Sequence, residues 1–230
     1  MNKKLKWTLV AVFASIEAIF LPLILTLSGV TVKILSFCSI VLAFCFSLLF
    51  LSFKKKNFFI QIGLFFTVMA DIFLVLVEPQ LQALAMSFFS LAQLAYFSKL
   101  LYETQSKKLR LANLISRCLL VVIVQIITIL VVGEKTDYLA LISMFYYTNL
   151  ILNIVFAFFN FRQNPYFAVG MVLFALCDTI IGLQVAIGTY IIIPESSFIY
   201  KFVFSSFNWA WLFYLPSQTL ISISASKSTS

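Results

Sequence analysis

GMVLFALCDTIIGLQ, residues Gly170 to Gln184, decides how this chain is read. It is apolar almost throughout and carries one carboxylate, Asp178, near its middle. With its flanks, from Tyr166 to Ile187, the run is long enough to cross a bilayer, which takes about 20 residues. An aspartate at the centre of such a helix costs about 2.5–3.5 kcal/mol on insertion scales, so it marks a functional site unless a structural role accounts for it.

The surrounding chain has the same character. Of its 230 residues 63% are hydrophobic, and the mean hydropathy is +1.08. Soluble domains are roughly half apolar, so this is a polytopic membrane protein with no soluble domain. The net charge of +8 does not point to nucleic acid, because the basic residues lie in short runs between apolar segments, where they report topology. Cys38, Cys45, Cys118 and Cys177 all fall inside apolar segments, at spacings that match no metal or redox motif. They read as free thiols acting as small apolar residues. The absence of histidine removes imidazole catalysis and His-ligated metal, leaving carboxylates as the acid/base candidates. The basic start before a long apolar run imitates a signal peptide, but the run lacks a clean small-residue cleavage site and reads as a retained first helix.

The fold class is all-α: one integral membrane domain over residues 1–230, a transmembrane bundle of eight helices. The expected spans are Trp7 to Leu27, Val32 to Phe53, Phe58 to Val77, Leu81 to Tyr102, Leu111 to Val132, Tyr138 to Phe159, Tyr166 to Ile187 and Phe198 to Ser222. One side collects Lys3, Lys4, Lys6, Lys54, Lys55, Lys56, Lys107, Lys108, Arg110, Arg162 and Lys227. The other has Lys33, Lys135 and Lys201 together with Glu78, Glu134, Asp137 and Glu195. The basic side is cytoplasmic by the positive-inside rule, which places both termini inside, as an even span number requires. Lys99 and Arg117 lie close enough to that side to snorkel. Pro22 falls in span one, Pro216 should kink span eight or free a carbonyl near Leu212, and the tail SASKSTS reads as frayed. Laying Asp71 on Asp178 aligns Gly63 with Gly170 and Ala70 with Cys177, which suggests two parallel four-helix halves.

Three carboxylates are expected inside the membrane: Glu17, Asp71 and Asp178. Such groups point into the bundle or into a water-filled cavity. Glu17 could pair with Lys33 or position another group, and Lys201 is the lysine placed to reach down to Asp71. With no other cation at the same depth, the neutral acid is the favoured form in apolar surroundings, and a carboxyl that keeps its proton can act as a general acid. Tyr146, Asn149, Asn153 and Asn160 recur on one face of span six. Phe207, Trp211, Tyr214 and Gln218 share a face of span eight, and Ser90, Gln93 and Tyr96 one of span four. The bland alternative for these polar faces is interhelical hydrogen bonding, worth about 0.6 kcal/mol per bond on average.

Four stretches resemble the YhhN family of lysoplasmalogenase-type membrane proteins: FFTVMADIFLVL (Phe65 to Leu76), FFSLAQLAYF (Phe88 to Phe97), VGMVLFALCDTIIG (Val169 to Gly182) and FYLPSQTLI (Phe213 to Ile221). They follow the family's order and cover most of the chain. The pattern departs at Ala70, where the family commonly has Gly, at Cys177, where it has Ser, and at Gln93, where it usually has His. The resemblance implies hydrolysis of the vinyl-ether bond of lysoplasmalogen to a fatty aldehyde and a glycerophospho-alcohol in the cell membrane. Asp71 and Asp178 would be the catalytic pair. Gln93, Tyr146, Asn149, Tyr214, Gln218 and Glu17 would position water or substrate, and neither metal nor other cofactor is required. The partners implied are the lysophospholipid and bilayer lipids; the oligomeric state is left open. Two other readings compete. Midplane carboxylates on parallel repeats suit a proton-coupled transporter, although the spans have few Gly/Pro breaks. A non-catalytic lipid-binding protein would explain Gln93 in place of histidine.

Overall fold

The computed structural model describes residues 3–50, 55–77 and 81–227. The expected end of span two at Phe53, and Lys54 and Glu78, lie outside these residues. Among the described residues nine α-helices follow in chain order: α1 (Lys3–Thr26), α2 (Val30–Leu48), α3 (Lys55–Asp71), α4 (Gln82–Glu103), α5 (Lys107–Val132), α6 (Tyr138–Phe159), α7 (Pro165–Thr189), α8 (Phe198–Val203) and α9 (Trp209–Lys227). A π-helical turn, Ile72–Leu76, continues α3, and a 3-10 turn, Gly133–Lys135, follows α5. Among the described residues seven helices, α1 to α7, are long and apolar enough to cross a membrane.

Helix starts follow ordinary capping chemistry, in which a side-chain oxygen takes up a free N–H of the first turn. Ser106 accepts from Leu109 N at 3.4 Å, Asp137 from Ala140 N at 2.8 Å and Asn164 from Phe167 N at 3.3 Å. Pro165 occupies the first turn of α7, where its missing N–H costs nothing. Gly29 and Gly133 turn the chain with φ of 73° and 61°, angles that side chains with a Cβ rarely adopt.

The core is built from α3 against α4, α7 against α9, and α4 against α6. α5 packs chiefly on α6 and leaves Leu119, Val122, Ile126, Leu130 and Val131 exposed. An apolar face of this extent is a liability in water and the normal surface of a helix in lipid. Of the four thiols, Cys38, Cys45 and Cys118 lie at the exposed surface, Cys177 is buried, and all are free.

The expected eighth span is corrected. Phe198 to Ser222 is not one helix: α8 stops at Val203 and α9 begins at Trp209. The break falls at Ser205, Ser206 and Asn208, polar residues that compete with helical hydrogen bonds; Asn208 Oδ1 accepts from Trp211 N at 3.3 Å and opens α9. Phe207 therefore lies outside the shared face and is exposed. The expected fraying of the tail is also corrected as far as Lys227, because Ser222, Ser224 and Ser226 are buried within α9. Their hydroxyls suit close packing: Ser222 Oγ donates to the Ala43 carbonyl of α2 at 2.6 Å, and Ser224 Oγ to Ile221 O at 2.5 Å.

Candidate active site

Asp71 is the last residue of α3, and the chain then widens into the π-helical turn closed by Val77 N donating to Ile72 O at 3.0 Å. Such turns recur at functional sites because the extra residue re-aims the side chains around it. Asp71 is 1% exposed. Its Oδ2 accepts from Tyr214 Oη of α9 at 2.5 Å, while its Oδ1 has no partner. Asp178, midway along α7, accepts on Oδ2 from Tyr146 Oη of α6. Each carboxylate thus takes a phenol from a different helix. Phe174 stands between the phenols, its ring 5.5 Å from Tyr214 and 6.5 Å from Tyr146, and Phe89 lies 5.6 Å from Tyr146 and 5.9 Å from Phe174. This aromatic box fixes where the two hydroxyls point.

Two cavities meet at Asp178. One, of about 440 Å³, is lined almost wholly by apolar side chains of α4 to α7, including Met86, Ile127, Val131, Met144, Gly182 and Ala186. A Cβ placed on Gly182 would meet nothing within 4 Å, so this arm has free width beside Asp178. The other, of about 370 Å³, is more polar: Asp71, Lys33, Gln82, Gln184, Asn208 and Tyr214 are among its lining residues. Leu74, Gln82, Phe89, Asp178 and Ile181 border both. Both carboxylates therefore face the polar arm, and Asp178 also faces the apolar one. Tyr190, which lines the apolar arm, donates from Oη to Asp137 Oδ1 at 2.7 Å. The hydrogen bonds that Asp137 accepts hold its carboxyl below the usual aspartate range, and burial with the nearby carboxylate pushes the Tyr190 phenol up to about 12.

Below the box lies a second polar layer, at Arg117. This residue is 7% exposed, which corrects the expectation that it snorkels. Its Nη1 donates to Asn149 Oδ1, and Nη2 to Asn153 Oδ1 at 2.8 Å. The guanidinium lies 4.0 Å over the Phe97 ring. The donor-only guanidinium fixes the Asn153 amide, whose Nδ2 then donates to Gln93 Oε1 at 2.9 Å. Tyr146, Asn149 and Asn153 share the predicted face of α6, so a cation does sit near the carboxylates' depth, contrary to expectation. Lys99 is corrected too: it is fully buried, paired with Glu103 at 2.6 Å and lying 3.9 Å over Phe167. Arg117→Met would strand the Asn149 and Asn153 oxygens at about 1–3 kcal/mol each. The expected result is a clearly lower unfolding temperature in detergent; an unchanged one would show that the network carries no stability.

The other expected site residues separate. Asn149 belongs to the Arg117 layer and lines neither cavity, and so does Gln93, whose Nε2 has no partner. Gln218 is buried one turn from Tyr214, with both amide atoms unpartnered. Glu17 lies elsewhere, accepting from Ser39 Oγ at 2.6 Å, not from Lys33. The lysine that shares a cavity with Asp71 is Lys33, not Lys201. Arg117 and Lys33 are the functional candidates missed in the sequence. Asn113, four residues before Arg117 on α5 and facing the same way, was the available signal for the first.

No curated protein and no solved structure matches the chain. The YhhN family profile matches residues 28–225, a stretch that holds both carboxylates, both phenols, Arg117 and Lys33. The chain belongs to the YhhN family.

Proposed function

We propose that this protein is a lipid hydrolase of the lysoplasmalogenase type, embedded in the cell membrane with both termini cytoplasmic and α9 completing an eight-helix bundle. The observation that carries the reading is the place of Asp178 at the join of an apolar and a polar cavity, with Asp71 facing the polar one. A single-chain lipid has the same division. Its hydrocarbon chain fits the apolar arm, its head group the polar arm, and the bond between them lies at the carboxylates.

The chemistry needs one acid, one carboxylate and one water. A protonated carboxyl delivers its proton to the β-carbon of the vinyl ether, and the C=C electron pair forms the new C–H bond. The resulting oxocarbenium ion is stabilised by the ionised partner, which also takes a proton from the attacking water. Water adds to the α-carbon to give a hemiacetal. Its collapse, with a proton passing to the ether oxygen, releases a fatty aldehyde and the glycerophospho-alcohol. Two carboxyl groups facing one cavity hold a single negative charge more readily than two, so a pair with one proton is the resting form this scheme requires. The phenols of Tyr146 and Tyr214 hold the reactive oxygens in place.

The test is a purified-protein assay with lysoplasmalogen, its acyl counterpart and intact two-chain plasmalogen. Aldehyde from the first alone is expected. Free fatty acid from the acyl lipid, or no turnover of any of them, would overturn the assignment.

A further inference from the structure

The two arms have a direction. The basic residues Lys107, Lys108 and Arg110 open α5, and Arg162 precedes α7. All the cavity-lining residues near helix ends belong to the opposite ends. Lys33 is in the first turn of α2 and Gln82 opens α4. Val132 closes α5, Leu139 is in the first turn of α6, Tyr190 follows α7 and Asn208 precedes α9. From there both cavities descend to Asp178, which lies 11 residues from the outer end of α7 at Thr189, about 17 Å along its axis. Below it the interior is closed by the aromatic box and then by the Arg117 layer.

The apolar arm is also open sideways. α5 packs chiefly on α6, so the cleft between α5 and α7 is spanned by the cavity rather than by side-chain packing. Ile127 and Val131 of α5 and Gly182 of α7 line the cavity while being exposed at the surface. A chain can therefore enter from the bilayer without first leaving it. In the polar arm Lys33 is the cation among the lining residues, and Asn208 lines the same arm with its amide nitrogen as a donor, while the Gln184 amide is held by the Val203 carbonyl at 2.8 Å. A strongly hydrated ammonium of this kind complements a phosphate.

We infer that the site draws its lysophospholipid from the non-cytoplasmic leaflet, its chain entering between α5 and α7 and its phosphate seated at Lys33 and Asn208. This rests on the hydrolase reading for the identity of the lipid and on the charge bias for the name of the leaflet. The accessibility of the arms rests on geometry alone.

Cysteine accessibility in the full-length protein separates these. In a background with Cys38, Cys45, Cys118 and Cys177 replaced by Ala, Asn208→Cys and Ser106→Cys are each exposed to a charged, membrane-impermeant maleimide on intact cells. Labelling at position 208 from outside is expected, and at position 106 only after lysis. Added lysophospholipid should slow labelling at 208 and leave 106 unchanged, whether or not turnover occurs, so failure of the hydrolase reading leaves a distinct signature. Labelling of 208 only after lysis would overturn the leaflet assignment, and absence of lipid protection would overturn the binding site. Lys33→Ala should raise KM for the phosphate-bearing lipid about tenfold, the equivalent of one charge-assisted contact, and leave KM for the phosphate-free alkenylglycerol unchanged. Equal effects on both lipids would overturn the phosphate subsite.

Discussion

Asp178→Asn is expected to abolish aldehyde release from lysoplasmalogen while the protein still unfolds at close to its wild-type temperature. The carboxamide fills the same space and still accepts from Tyr146 through its oxygen, so the aromatic box and both cavities keep their shape. It can neither deliver a proton to carbon nor carry the negative charge that faces the oxocarbenium ion. General acid–base catalysis contributes about 10²–10⁴-fold, and the pair acts as a unit, so the loss should reach at least the upper part of that range. Asp71→Asn should do the same, because the two carboxyl groups face one cavity and share one task. Tyr146→Phe is the informative contrast. It keeps the acid and removes only the group that orients it, so the expected loss is nearer tenfold, with position rather than chemistry at fault. Undiminished aldehyde production by both asparagine variants would remove the carboxylates from the mechanism.

The depth of Asp178 and the polar face of α6 were legible because both depend on local periodicity: Tyr146, Asn149, Asn153 and Asn160 are all buried, as their spacing requires. The pairing of Tyr146 with Asp178 and Tyr214 with Asp71 was not legible. Which phenol meets which acid depends on helix neighbours, and those are set by packing across the bundle. Arg117 was misread for a related reason. Counted along α5 it is one of several basic residues near the N-terminal end of the helix, and snorkelling is the ordinary fate of such a residue. Its inward turn follows from three asparagine side chains, two of them on another helix. The eighth span failed differently. Hydropathy averages over a window, so the strong apolar character of Phe198 to Val203 and of Trp209 to Leu215 masked the serines and asparagine between them. The same averaging made the serine-rich end of α9 look like a tail, although each serine there lies against a neighbouring helix or its own carbonyls.

The halves suggested by the alignment of Asp71 with Asp178 make a demand on packing that single substitutions can test. Gly63 and Gly170 each precede their aspartate by eight residues, so both lie on the inner part of an aspartate helix. A Cβ on Gly63 would overlap the Tyr96 ring on α4. One on Gly170 would sit 2.8 Å from Cγ1 of Ile221 on α9, and 3.1 Å from the Ser217 carbonyl oxygen. In both places the aspartate helix closes on its main packing partner through a missing side chain, the usual device for close helix approach in lipid. The Tyr96 ring cannot easily retreat, since it is fully buried and its far side meets Phe167 at 5.5 Å. Gly63→Val should therefore destabilise the protein by more than the 1–3 kcal/mol typical of overpacking, about 3 kcal/mol or above. Gly170→Val should cost a comparable amount, because beyond Ile221 Cγ1 the new side chain meets α9 backbone, Ser217 O at 3.1 Å and Ile221 N at 3.2 Å, which no rotation moves aside. Both variants should also lose aldehyde release, since α3 and α7 carry Asp71 and Asp178, and a shift of about 1 Å is enough to cost roughly 10²-fold in rate. Unfolding temperatures and turnover measured on Gly63→Ala, Gly63→Val and Gly170→Val decide the matter. A graded fall in both quantities at position 63 is expected, and a Val variant as stable and active as wild type would show that the close approach at that position is not needed to hold the carboxylates.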